Sequence, residues 1–241
     1  MTDMIAGIDG CPAGWMVVTW AGRPTDTPQA RIIEDFAGIL QLPAGIIAVD
    51  MPIGFPEHAS TGGRPACVAA RARLGHRQSS VFSVPSRAAV MCTDYRQACR
   101  INQLNSDPPK KVSKQCFNLF DKMREIDALI TPGLQDRVFE VHPELAFWAM
   151  NGQRPLALPK KVKSQPDPAG MALRRELLAA AGFPIDALKR GTWKASEAAE
   201  DDVLDACAAA WSARRIRDGE HVQLPSDPPR DGRGLRMEIN A

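Results

Sequence analysis

The chain has 241 residues, of which 44% are hydrophobic and 24% are charged, and its formal net charge is +2. This composition is typical of a globular protein and argues against a disordered or fibrous one. Because there is no apolar run of about 18 residues or more and no leader pattern, we expect a cytoplasmic protein with no membrane contact. The length favours one domain over residues 1–241.

The first predicted elements are strands. An apolar run over residues 4–9 and a β-forming run over residues 15–20 predict an antiparallel hairpin. A third strand is expected over residues 30–36, so that three antiparallel strands open the fold. Residues 45–50 are apolar up to a final aspartate, as expected for a fourth strand that is buried on both faces.

Residues 56–134 carry no convincing strand pattern and predict a helical insertion. A fifth strand is expected over residues 137–141, and residues 234–239 could add an edge strand or a covering segment. The longer helices are expected at 64–74, 87–103, 116–129, 143–150, 169–181 and 198–217. The fold class is therefore α/β: a five-stranded mixed sheet flanked by helices, with the insertion between strands four and five.

Acidic residues mark the predicted strands and the last helix. Asp9 and Asp50 end the first and fourth strands, and Glu140 lies in the fifth. Asp202 and Asp205 are three residues apart and share one face of the last helix. Mg²⁺ and Mn²⁺ prefer oxygen ligands, which carboxylates from separate elements supply. Each acid alone also suits a turn or a first helical turn, so it is their combination that favours a metal site.

Several sequence blocks together resemble one protein family. They are Gly-Ile-Asp-Gly-Cys-Pro-Ala-Gly-Trp at 7–15, Ala-Val-Asp-Met-Pro-Ile-Gly at 48–54, Ser-Ser-Val-Phe at 79–82 with Pro85 and Arg87, Phe-Glu-Val-His-Pro-Glu at 139–144, and Asp-Asp-Val-Leu-Asp-Ala at 201–206. The family is an uncharacterised one of predicted nucleases, number 429 among the domains of unknown function. The resemblance continues to residues 231–238, and it implies an RNase H-like fold more firmly than an activity.

More distantly, the order of the acids is similar to that of bacterial Holliday-junction resolvases, in which such residues bind metal. By that likeness Asp9, Asp50, Asp202 and Asp205 carry over, although Asp50 stands where resolvases usually have Glu. Glu140 is the acid that could compensate for the shorter reach. We therefore expect a nuclease in which Asp9, Asp50 and Asp205 bind Mg²⁺ or Mn²⁺, while Asp202 and Glu140 assist the hydrolysis of a phosphodiester.

Basic residues concentrate between Arg64 and Arg124, which favours a phosphate-bearing partner such as DNA or RNA. Arg77 and Arg87, with Ser79 and Ser80, are the candidate substrate-binding residues, because arginine binds phosphate oxygens bidentately. A structural salt bridge within the insertion is the alternative interpretation of Arg87. The lysines at 160, 161 and 163 could follow a nucleic-acid backbone or belong to a solvated loop.

Other interpretations remain open at this point. His142 is either a ligand or proton shuttle, or a histidine that hydrogen-bonds at a strand end. Residues 10–14 or 52–54 could be phosphate loops of a nucleotide-dependent phosphotransferase or ATPase. The protein could also be a non-catalytic nucleic-acid-binding module, and the insertion could form a homodimer interface.

Overall fold

The computed structural model describes residues 3–163 and 165–241. Its strands are β1 (Ile5–Cys11), β2 (Gly14–Trp20), β3 (Gln29–Ile33), β4 (Ile46–Val49), β5 (Ala59–Ser60), β6 (Ser106–Asp107), β7 (Val138–Glu140), β8 (Lys161–Val162), β9 (Gln165–Pro166), β10 (Lys189–Arg190), β11 (Gln223–Leu224) and β12 (Ile239–Asn240). Its α-helices are α1 (Phe36–Leu40), α2 (Pro65–Leu74), α3 (Arg87–Val90), α4 (Tyr95–Leu104), α5 (Lys114–Phe117), α6 (Phe120–Leu129), α7 (Pro143–Met150), α8 (Pro168–Ala180) and α9 (Glu200–Arg217).

The main sheet of the described residues has six strands in the order β10-β3-β2-β1-β4-β7. Strands β1, β2 and β3 are antiparallel, whereas β4 and β7 run parallel to β1. The α/β class and the mixed sheet are confirmed, but the prediction of five strands was wrong. The sixth strand, β10, has only two residues, Lys189 and Arg190, and forms by parallel pairing with β3. Two charged residues carry no periodic apolar pattern, so the sequence does not show this strand.

Helices cover both faces of the sheet. Successive side chains of β1 point to opposite faces, and both sets are mainly apolar and need to be buried. Ala6 and Ile8 pack into an apolar core shared with the insertion. Ile5 and Cys11 pack into a second core that contains the apolar face of α9. The near-continuous burial of β1 thus follows from its central place in the sheet.

The insertion is mainly helical, as predicted, but it differs in detail. The helix expected over residues 87–103 is two helices, since Asp94 caps the start of α4 by accepting from the backbone nitrogen of Gln97 at 2.7 Å. Strands β5 and β6 form a short parallel pair inside the insertion. Pairs this short leave no alternating pattern in the sequence.

The segment after α9 returns along the sheet. Asp231 fixes it, because the Asp231 carboxylate accepts from the backbone nitrogens of Phe55 and Leu235, both at 3.0 Å. Strand β12 then pairs with β11, and Asn240 forms an isolated bridge with Val141 beside β7. The predicted edge segment is therefore confirmed as a cover for this side of the sheet. No helix among the described residues is long and apolar enough to cross a membrane.

Candidate metal centre

Asp9 and Asp50 lie next to each other at one end of the sheet. Strands β1 and β4 are parallel with Ile8 opposite Val49, so the aspartates that follow are neighbours. The backbone nitrogen of Asp50 donates to the carbonyl of Ile8 at 2.9 Å. The spacing of alternate residues puts Asp9 on the same face as Gly7, which is the face covered by α9.

Helix α9 brings the third acid to this place because it packs against the backbone of β1. A Cβ on Gly7 would lie 2.2 Å from the carbonyl oxygen of Ala206, so only glycine allows this approach. On the helix side, the residues from Ala206 to Ala210 are small and fully buried. Asp205 precedes this stretch and therefore lies close to Asp9, near the end of β1, and to Asp50, just after β4.

The three carboxyl groups repel one another in a buried environment. Burial, followed by the charges of Asp205 and Asp50, raises the pKa of Asp9 well above its ordinary value, although Lys160 acts in the opposite direction. Burial raises the pKa of Asp50 to about 6 and also raises the pKa of Asp205. Such clusters are unfavourable for folding alone and are typical of functional sites.

Lys160 supplies positive charge inside this acidic cluster. Its Nζ atom donates to Oδ2 of Asp205 and lies 3.5 Å from Oδ2 of Asp201. Burial lowers the pKa of Lys160, but attraction to Asp205 and Asp9 outweighs burial and raises it. Lys161 contacts the cluster from outside, with its Nζ atom 2.6 Å from Oδ2 of Asp201. The sequence predicted no contact between this loop and the acids.

One carboxylate oxygen of Asp205 makes no hydrogen bond to the described residues. Its Oδ1 atom is buried and has no hydrogen-bond partner among the residues that the structure describes, whereas its Oδ2 atom accepts from Lys160. Oδ1 of Asp201 is in the same condition. A buried carboxylate oxygen without a partner is energetically costly and therefore requires an explanation.

Two adjoining spaces open onto the cluster. A cavity of about 140 Å³ is bordered by Asp9, by Asp50 and by residues on the insertion side of the sheet. A more open groove of about 420 Å³ is bordered by Asp50, Asp205, Lys160 and Lys161. Asp50 borders both spaces, Asp205 borders the groove, and Asp9 borders the cavity.

The predicted residues Ser79 and Ser80 do lie at this site, in the wall of the groove. His142 lines the same wall. The Nδ1 atom of His142 accepts from the backbone nitrogen of Glu144 at 3.2 Å, so its neutral form carries the proton on Nε2, which lies 3.3 Å from the carbonyl oxygen of Ser80. This histidine therefore connects the start of α7 to the segment that carries the serines.

Glu140 is not part of the cluster around Asp9. In the register of β4 and β7 it is opposite Val49, whose side chain packs in the core on the insertion side of the sheet. Both oxygens of Glu140 accept from Arg64, and Oε2 also accepts from the backbone nitrogen of Ile53 at 2.6 Å. The structure therefore places Glu140 in a buried ion pair on the opposite face.

Asp202 lies beside the cluster but has a local partner. Its Oδ2 atom accepts from the backbone nitrogen of Ala199 at 2.8 Å and so stabilises the first turn of α9. Burial raises the pKa of Asp202, and Asp201 and Asp205 add to this rise. The hydrogen bond of Asp202 therefore fixes the start of α9, next to Asp205.

The two predicted phosphate-binding arginines have acidic partners. Arg87 donates to Asp127 at 2.7 Å and to Asp231 at 2.5 Å, and it is not in the walls of the two spaces. The Nε atom of Arg77 lies 3.7 Å from Oε2 of Glu144, and Glu144 borders the groove. The structure thus brings the serines and Lys160 to the site and gives both arginines structural ion pairs.

Comparison with protein families places the acidic cluster within one family model. A family model described as "Protein of unknown function (DUF429)" matches residues 7–230. The chain belongs to this family. Comparison with curated proteins and with solved structures found no significant match. The DUF429 range contains Asp9, Asp50 and Asp205, and among the described residues of this DUF429 chain no three acidic, histidine or cysteine side chains form a ready-made metal site.

Proposed function

We propose that this protein is a metal-dependent phosphodiester hydrolase, a nuclease, with an RNase H-like fold. The observation that carries the proposal is the convergence of Asp9, Asp50 and Asp205 from β1, β4 and α9 at one end of the sheet. Three carboxyl groups from separate elements, held together against their repulsion, are the arrangement that a divalent cation stabilises.

The sheet supports the fold part of this proposal. Strands β1, β2 and β3 are antiparallel, and β4 and β7 run parallel to β1. The helical insertion lies between β4 and β7 in the chain. This is the arrangement that the resemblance implies. The additional pair with β10 extends the sheet at its far edge and leaves the ends of β1 and β4 unchanged.

The chemistry of the donor atoms suits a hard divalent cation, and binding would have to draw the three carboxylates closer together, since the described residues form no ready-made site. All the donors are carboxylate oxygens, as Mg²⁺ and Mn²⁺ prefer, and Oδ1 of Asp205 is buried without a hydrogen-bond partner in the described part of the chain. Asp9, Asp50 and Asp205 would hold the ion. Once bound, such an ion activates water and stabilises charge on the phosphate. Asp202 would keep the first turn of α9, and with it Asp205, in place.

The groove is suited to a phosphate-bearing substrate. Its walls combine Ser79 and Ser80 with Lys160 and Lys161, next to the acids, and the Ser80 hydroxyl donates to the carbonyl of Arg77, which leaves Ser79 and the lysines as the donors to a substrate. Lysine and serine are common donors to the phosphate and sugar oxygens of nucleic acids. We therefore propose that a DNA or RNA backbone lies in this groove, with the scissile phosphate beside Asp50.

Calorimetric titration of Mn²⁺ and Mg²⁺ into the wild type and an Asp9→Asn variant tests the proposal. We expect saturable binding that Asp9→Asn weakens at least about tenfold, because one charged ligand is lost. Asp121→Asn is the matched control, since the Asp121 side chain is 92% exposed and pairs with Arg124 on the surface. Equal binding by all three proteins would contradict the assignment of the metal to this cluster, as would the absence of any binding.

The activity is tested separately with single-stranded and double-stranded DNA and RNA in the presence of Mn²⁺. We expect cleavage by the wild type and by Asp121→Asn. The double variant with Asp9→Asn and Asp205→Asn should lose cleavage by at least about 100-fold, because the ion and its charge stabilisation are lost together. Cleavage that persists in a folded double variant would refute the proposed mechanism.

A further inference from the structure

The position of Lys160 is the feature that the proposed nuclease does not yet explain. Its Nζ atom donates to Oδ2 of Asp205, one of the acids assigned to the metal. The Lys160 side chain is only 24% exposed, whereas that of Lys161, the next residue, is 42% exposed. The ammonium group of Lys160 therefore belongs to the interior of the acidic cluster.

The backbone around Lys160 is held firmly against α8. The carbonyl of Lys160 accepts from the backbone nitrogen of Asp167 at 2.9 Å. A Cβ on Gly170 would lie 1.7 Å from the carbonyl oxygen of Pro159, so the loop rests directly on the first turn of the helix. Arg174 adds a donor to the carbonyl of Leu158 at 3.3 Å. This support positions the lysine at the acids as a fixed part of the fold.

The two oxygens of Asp205 are divided between different partners. Oδ2 accepts from Lys160, and Oδ1 has no hydrogen-bond partner among the described residues. In hydrolases with two metal ions, bridging carboxylates bind one ion with each oxygen, and the ions lie roughly 3.5–4 Å apart. In this protein an ammonium group already occupies one of the two sides of the carboxylate.

We propose that Lys160 is a fixed cation of the active site that replaces a second metal ion, so that the centre binds a single divalent ion. That ion would be held by Asp9, Asp50 and Oδ1 of Asp205. Lys160 also lines the groove, where its remaining N–H groups can donate to a phosphate oxygen. This inference rests on the proposed function, because it concerns the charge that faces the same phosphate.

The number of Mn²⁺ ions bound per chain tests the inference. Calorimetric titration should give one ion for the wild type and two for Lys160→Met, since that variant leaves Oδ2 of Asp205 without its cation and Asp201 with Lys161 alone. Lys161→Met is the matched control and should bind one ion, because the acidic partner of Lys161 among the described residues is Asp201 and its side chain is more exposed. Lys160→Arg retains the charge and should also bind one ion.

The outcomes separate this inference from the proposed function. Two ions bound by the wild type, or one ion bound by a folded Lys160→Met variant, would overturn the role of Lys160 and leave the metal site standing. No binding by any variant would overturn both. Circular dichroism and thermal unfolding establish that each variant is folded, and Lys160→Gln is a second neutral variant for the case in which Lys160→Met does not fold. Lys160→Gln is expected to bind two ions.

Discussion

The guanidinium group of Arg64 donates to both carboxylate oxygens of Glu140, at 2.8 and 2.5 Å, beneath the end of the sheet. Neither side chain is more than 5% exposed. Arg64 also donates to the carbonyl of Ile53 at 2.7 Å, and Glu140 accepts from the backbone nitrogen of that residue. The pair therefore joins β7 to the segment that follows Asp50 and helps to fix the position of that aspartate.

We expect Arg64→Met to lower the free energy of unfolding by about 3–5 kcal/mol, because it leaves the Glu140 carboxylate buried without its partner. The double variant with Arg64→Met and Glu140→Leu should regain a large part of this loss. Urea unfolding of the wild type, both single variants and the double variant measures the coupling. Additive effects of the two substitutions would show that the ion pair does not act as a unit.

Arg87 should act on stability and not on substrate binding. Arg87→Met removes one of the partners of Asp127 and of Asp231, so we expect the free energy of unfolding to fall by about 2 kcal/mol, as for the loss of charged hydrogen bonds. Arg96→Met, on the exposed face of the same insertion, should change it by less than about 0.5 kcal/mol. If Arg87→Met were fully stable but bound nucleic acid more weakly than wild type, the original substrate-binding prediction would be restored.

Gly7→Ala should displace α9. The added methyl group would lie 2.0 Å from the backbone nitrogen of Ala210, and a helix backbone cannot move locally to make room. We expect a loss of at least about 1–3 kcal/mol in the free energy of unfolding, together with weaker Mn²⁺ binding, because Asp205 moves with the helix. Gly133→Ala is the control, since nothing lies within 4 Å of the Cβ that it adds. Equal stability of both variants would contradict the direct packing of α9 on β1.

Asp50 should make stability depend on pH between about 4 and 6. Its pKa is about 6 in the folded chain and about 3.9 in an unfolded one, so the folded chain binds the proton more tightly. The stabilisation from this proton is complete below about pH 4 and is lost as the pH rises through 6. Asp50→Asn should therefore stabilise the metal-free protein by roughly 2–3 kcal/mol at pH 8 and hardly at all at pH 4.

Thermal or urea unfolding at both pH values measures this difference. Asp121→Asn, a change at a surface acid, is the control and should show no such pH dependence. If Asp50→Asn were equally stabilising at both pH values, the buried charge of Asp50 would not be the cause.

The sequence showed which elements carry the acids, but not all of the directions in which their side chains point. Asp50 directly follows β4, as the apolar pattern predicted, whereas β1 continues past Asp9 to Cys11 because the last two residues still pair with β2. Glu140 has the same pattern, yet the register of β7 turns it to the opposite face. A shift of one residue reverses every side chain of a strand, and short strands carry too few residues to reveal which face is buried.

The role of Lys160 could not be predicted for a different reason. It is 45 residues away from Asp205 along the chain, in a loop rich in proline and lysine, where a solvated side chain is the usual outcome. Its contact depends on the way the loop rests on α8. Arg64 is a similar case, because a buried arginine in an insertion rich in exposed arginines has no distinguishing pattern.

The bridge between Asn240 and Val141 has a consequence for how copies of the chain can associate. The side chain of Asn240 also donates to the carbonyl of Glu140 at 3.2 Å, so backbone groups beside β7 are already occupied. At the other margin, β10 offers only the two charged residues Lys189 and Arg190. Covered, short and charged margins discourage pairing with strands of another molecule. These two margins are thus protected against edge-to-edge pairing with a second copy of the chain.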